Sequence, residues 1–108
     1  MKTRFHDRHD RVDYLKACEI ARRILRDPAQ IAAARDFVET VMAADPHQRG
    51  YAEMWRALLR LPPEEIAAAL IADSAHGQLL RETRPVFGKG LSSRDVAAIL
   101  EAMDAAAS

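Results

Sequence analysis

Residues 51–87, YAEMWRALLRLPPEEIAAALIADSAHGQLLRETRPVF, decide the fold of this chain. They hold the single tryptophan, Trp55, and the densest run of leucines. Tyr51, Met54, Trp55, Leu58 and Leu59 recur at the i, i+3, i+4 spacing of one helical face. That spacing predicts a helix over 51–61 anchored by Trp55, whose indole N–H needs an acceptor once buried. Leu61 precedes Pro62 and is pushed out of helical geometry. Pro62-Pro63 followed by Glu64 and Glu65 reads as a new helix start, with proline early and carboxylates facing the positive end of the dipole. These carboxylates are adjacent, point in different directions on a helix and have no companion nucleophile, so they do not read as an acid–base pair. A helix over 63–72 then buries Ile66 and Leu70. Asp73-Ser74 caps the next, over 75–83, which buries Leu79 and Leu80. Gly77 lies inside that helix at a cost of about 1 kcal/mol relative to alanine. Glycine is tolerated there where two backbones approach closely or where a partner's backbone passes.

Outward from this stretch the same logic holds. Tyr14, Leu15, Cys18, Ala21, Ile24 and Leu25 form the apolar stripe of a first helix over 10–26. Arg8, Arg11, Lys16, Arg22, Arg23 and Arg26 surround it as a solvated basic face. Asp27-Pro28 supplies a cap and a first-turn proline for a second helix reaching about 44. Its face is Ile31, Ala34, Val38, Val41 and Met42, with Phe37 beside them. So short a turn predicts an N-terminal antiparallel hairpin of helices. Asp45-Pro46 repeats the turn chemistry, and Gly50 ends that loop. After 83, Pro85 stops the helix and Gly88 and Gly90 flank Lys89, giving a flexible loop over 84–91. Val86-Phe87 within it either tucks back onto the domain or anchors a partner. A last helix over 93–105 starts at Ser92 with Asp95 and buries Val96, Ile99, Leu100 and Met103. The expectation is one all-α domain over 1–108. It is a compact bundle of five to six short helices behind a charged lead-in at 1–9.

Composition narrows the function. The chain has 108 residues, 16 basic and 16 acidic, so no whole-chain basic field for nucleic acid exists. Hydrophobic residues reach 49%, but much of this is alanine and aromatics are 6%, which gives a thin core. A thin core favours self-association or a partner that completes it. The lone Cys18 excludes an intrachain disulfide and a multi-cysteine zinc site, and reads as a small buried hydrophobe. No signal-peptide pattern opens the chain, and no run nears the ~20 apolar residues of a membrane span. This reads as a cytoplasmic protein of bacterial style. His6, Asp7, His9 and Asp10 read as a solvated N-terminal turn, because a zinc site wants three or four ligands with a supporting shell. The four histidines are scattered, and no nucleophile stands in a strained turn. Gly88-Lys89-Gly90 lacks the longer spacing and preceding strand of a phosphate loop. No catalytic residue, metal ligand or cofactor is assigned, and an enzyme is not expected.

Two interaction roles remain. Residues 64–84 suggest a helix-turn-helix whose second helix would present Gln78, Arg81, Glu82 and Arg84, residue types that include readers of base edges. The turn lacks a well-placed glycine, which leaves a small DNA-binding regulator as the alternative. The leading role comes from a pattern over 55–87, W-x2-LL-x-L-P-x-E-E followed by L-x3-S-x2-G-x2-LR-x3-P-x-F. Trp55, Leu58, Leu59, Leu61, Pro63, Glu64, Glu65, Leu70, Ser74, Gly77, Leu80, Arg81, Pro85 and Phe87 carry it. It resembles small helical proteins of bacterial toxin–antitoxin type operons. It lacks a ribbon-helix-helix or complete helix-turn-helix half, so the resemblance implies neutralisation of a partner enzyme rather than operator binding. The implied partner is a protein, such as a toxin encoded nearby. The residues expected to bind it are Gly77, Leu80, Arg81, Arg84, Pro85, Val86, Phe87 and Lys89, with arginine and aromatic anchors contributing most of the binding energy.

Overall fold

A computed structural model describes Lys2 and residues 4–107. Six helices are linked by short turns, and no strand occurs among the described residues. Helix α1 spans Arg8–Arg26. Its N-cap is Asp7, whose carboxylate accepts the Asp10 amide at 2.8 Å. The lead-in folds back on this helix. The Lys2 amide donates to the Tyr14 hydroxyl at 3.1 Å, and the Phe5 and Tyr14 rings lie 5.5 Å apart.

Helix α2, Ala29–Phe37, begins after Asp27-Pro28 and continues into a π-helical turn, Val38–Met42. There the Ala43 amide reaches back five residues to the Val38 carbonyl at 2.8 Å, and the Thr40 hydroxyl donates to the Asp36 carbonyl. Val38 and Met42 are buried along this turn while Val41 is exposed, contrary to the expected face. Helix α3 spans Arg49–Leu58, so Gly50 lies in its first turn instead of ending the loop, and Tyr51 is exposed. Helix α4 is Pro63–Leu70, opened by Pro63, Glu64 and Glu65. Helix α5 is Ala75–Thr83, and α6 is Ser93–Ala107.

The core gathers around Trp55. The indole is fully buried, and Ile24, Ile66, Leu70, Leu80 and Met42 belong to the same cluster. Its N–H finds the acceptor that burial demands in the Thr83 hydroxyl, at 3.0 Å. Thr83 in turn donates to the Leu79 carbonyl, so the bond runs from α3 to the last turn of α5. Helix α1 packs most extensively against α4, and α3 against the π turn. Helix α1 outruns α4, with 19 residues against 8, which leaves Leu25 half exposed despite its place in the stripe.

Helix α6 lies antiparallel on α1. Arg8 meets Asp104 at 3.0 Å at one end, and Arg23 meets Asp95 at 3.0 Å at the other. The expected capping pair forms reciprocally: the Ser92 amide donates to Asp95 at 2.8 Å and the Asp95 amide to the Ser92 hydroxyl at 3.1 Å. Only Met103 of its apolar side is fully buried; Val96, Ile99 and Leu100 are half-buried. No helix among the described residues is long and apolar enough to cross a membrane.

Two predictions follow from these contacts. Thr83→Val keeps the shape but strands the indole N–H, and should cost about 1–3 kcal/mol in urea unfolding. The Ser92 amide, and after it Arg23, hold the Asp95 carboxyl at about 2, below its usual value. A depressed folded-state value means that Asp95 stabilises fully above the usual carboxylate range and loses this as pH falls toward 2. Asp95→Asn should therefore flatten the acid limb of a stability–pH curve between about pH 4 and 2.

Candidate functional site

The corner between α4 and α5 is built from two residues that sequence reading placed at a partner surface. Ser74 caps α5 by accepting the Gly77 amide at 3.0 Å. This draws the first turn of α5 against the end of α4. A Cβ on Gly77 would fall 2.2 Å from the Ala72 carbonyl oxygen and 3.1 Å from the Arg81 Nη1. Gly77 is therefore the close-approach residue of this corner. Arg81, one turn on, is 4% exposed. Its Nη1 donates to the Leu70 carbonyl at 3.2 Å and the Ala72 carbonyl at 2.9 Å, and its guanidinium lies 5.1 Å from the Tyr14 ring centroid. A cation at these last carbonyls caps α4 and complements the negative end of its dipole. The Nη2 of Arg81 has no hydrogen-bond acceptor among the described residues.

Tyr14 completes the corner by donating its hydroxyl to the Ile71 carbonyl at 3.1 Å. Cys18, expected to be buried, is half-buried beside it. Burial raises its thiol pKa, partly offset by the Tyr14 hydroxyl, so the thiol is held protonated, as in an inert cysteine.

The expected flexible loop over 84–91 is an irregular segment pinned to the body. Pro85 and Phe87 are buried, and the Phe87 ring meets Trp55 edge-on with centroids 6.1 Å apart. Of the two alternatives for Val86-Phe87, Phe87 tucks in while Val86 stays 43% exposed. Gly88 and Gly90 adopt φ of 63° and 72°, which glycine reaches without penalty. They turn the chain so that the Gly90 amide meets the Phe87 carbonyl, and the Gly90 carbonyl accepts from Arg23 at 3.4 Å. Lys89, at the tip, is exposed.

Of the eight residues expected at a partner surface, Gly77, Leu80, Arg81, Pro85 and Phe87 are buried, Arg84 is half-buried, and Val86 and Lys89 are exposed. The first five hold the fold in this conformation and offer no surface. The others border an open cleft of about 390 Å³ between α1, the 84–91 segment and α6. Lys16, Arg81 and Arg84 line it together with Glu82, which is held by Gln78 at 3.2 Å. Its apolar walls include Ile20, Phe87, Leu91 and Val96. Lys16, Arg81 and Arg84 form no salt bridge among the described residues. Burial lowers the Arg84 pKa, opposed by the charge of Asp13.

Lys16, Ile20, Leu91 and Val96 were not read as site residues. Lys16 was visible only as one cation of a basic face, and nothing local ties α1 to residue 84. For the nucleic-acid alternative, Arg81 is withdrawn from the surface of α5, and Gln78 and Glu82 bond to each other. Among the described residues no group of three or more histidine, cysteine, aspartate or glutamate side chains could hold a metal ion, and His9 faces Asp13.

Gly77→Ala should overpack the corner and lower stability by about 3 kcal/mol in denaturant unfolding, although alanine is the better helix former. A neutral or stabilising outcome would show that the corner is loose. No protein-family model matches the chain, and neither a curated protein nor a solved structure matches it.

Proposed function

We propose that this chain is a non-catalytic, antitoxin-like helical protein of the bacterial cytoplasm that binds a partner protein and neutralises or regulates it through the 77–90 region. One observation carries the reading: an exposed Val86 and Lys89 beside a concave, cation-lined surface, displayed on a segment that the core holds in place. An apolar side chain flanked by unpaired cations suits an acidic partner surface with a hydrophobic anchor. The segment is pre-ordered by Pro85 and Phe87, so little conformational entropy is lost on docking. The role of Phe87 in this reading is to hold the segment; truncating it would open a cavity against Trp55.

The contact residues reduce to Arg84, Val86 and Lys89, with Lys16 joining from α1. The partner would be the product of an adjacent gene. Val86→Asp with Lys89→Glu should leave helicity and the thermal midpoint nearly unchanged and weaken a co-purified complex by at least about tenfold. A complex of undiminished affinity in titration calorimetry would remove this surface from the interface.

A further inference from the structure

The floor of the cleft asks for chemistry that a flat docking surface does not. Arg81 is 96% buried by its 4% exposure, yet it keeps an Nη2 without an acceptor. A buried guanidinium normally satisfies its donors, and each one left bare is costly. Arg84 and Lys16 stand on the same lining and are also free of ion pairs among the described residues. Three cations in one concave site with low-dielectric walls focus positive potential into it. The nearby carboxylates do not cancel this. Glu82 is engaged by Gln78, Asp13 by His9, and Asp10 by Lys2 and the His6 amide. Around the cations lies an apolar surface given by Ile20, Phe87, Leu91 and Val96. A volume of about 390 Å³ falls in the range of small-molecule sites.

We propose that this cleft binds a small organic carboxylate with a short apolar tail, its head taken by Arg84, Lys16 and the unpaired Nη2 of Arg81 and its tail by Ile20, Phe87 and Val96. The planar guanidinium fork matches a carboxylate, and the apolar walls select against a bare inorganic anion. This inference goes beyond the partner-binding role and does not depend on it. That role rests on the exposed rim at Val86 and Lys89, whereas this one rests on the interior.

The molecule carries its own reporter. Phe87 lines the cleft and touches Trp55, the single indole. Sodium hexanoate, titrated into the intact chain at constant ionic strength, should give a saturable change in Trp55 fluorescence and raise the thermal midpoint in step with occupancy. Hexanol, which keeps the tail, and inorganic phosphate, which keeps the charge, should each bind at least about tenfold more weakly. Arg84→Gln and Lys16→Gln should each weaken hexanoate about tenfold. Arg60→Gln, an exposed arginine remote from the cleft, should not change it. Arg81→Lys would test the fork directly if circular dichroism shows it folded; Arg84→Gln and Lys16→Gln decide the matter if it does not. The proposal is overturned by a flat titration, which would mean that water alone satisfies Nη2. Equal binding of hexanol or phosphate would overturn it as well, as would unchanged affinity in both cleft variants.

Discussion

The Arg81 guanidinium at the end of α4 is the contact on which the remaining geometry depends. It bonds two carbonyls that close α4, lies over the Tyr14 ring of α1, and belongs to α5. One side chain thus joins three helices at a corner too tight for any residue but glycine at position 77. With α5 fixed by this contact, Thr83 falls under the Trp55 indole and Pro85 and Phe87 return to the core. The cleft is what remains between that returning segment and α1.

Arginines close helix ends elsewhere in the chain. Arg35 donates twice to the Leu59 carbonyl just beyond α3, at 3.2 and 2.6 Å, and Arg84 donates to the Arg81 carbonyl at the end of α5. Arg23 reaches the Gly90 carbonyl from α1. In a chain whose aromatic content is 6%, these long side chains supply contacts that a thicker core would provide. Their stems cover apolar surface while their heads satisfy carbonyls left over by short helices. The balanced net charge therefore conceals a division of labour, with several cations spent on internal carbonyls and a smaller group left facing the cleft.

Much of the architecture was legible in the sequence. Apolar spacing gave the helices, and Asp27-Pro28, Pro62-Pro63, Ser74 and Ser92 with Asp95 gave their starts, because these signals act within four residues. The need of Trp55 for an acceptor was legible too, though not that Thr83 would meet it. The candidate site was less legible. Gly77 and Arg81 break local helical preferences, and such breaks attract a functional reading. Here close packing explains them: the Ala72 carbonyl and the α4 end lie five and eleven residues away along the chain and are visible only once the corner is folded. Lys16 had no distinguishing mark at all, since its relation to Arg84 exists only through the docking of α1 on the segment after α5.

The π turn at Val38–Met42 has a consequence for the length of this segment. A turn closed by five-residue hydrogen bonds accommodates one more residue than an α-helical turn of the same span. Removing a single residue there would restore regular α-helical bonding, yet it would swing everything downstream by about 100°. Met42 would leave the interior, and α3 would present a different side to its neighbours. The local irregularity thus acts as a phase adjuster. It lets a helix that begins in register with α1 finish in register with the indole of Trp55, and it makes chain length at this point less negotiable than side-chain identity.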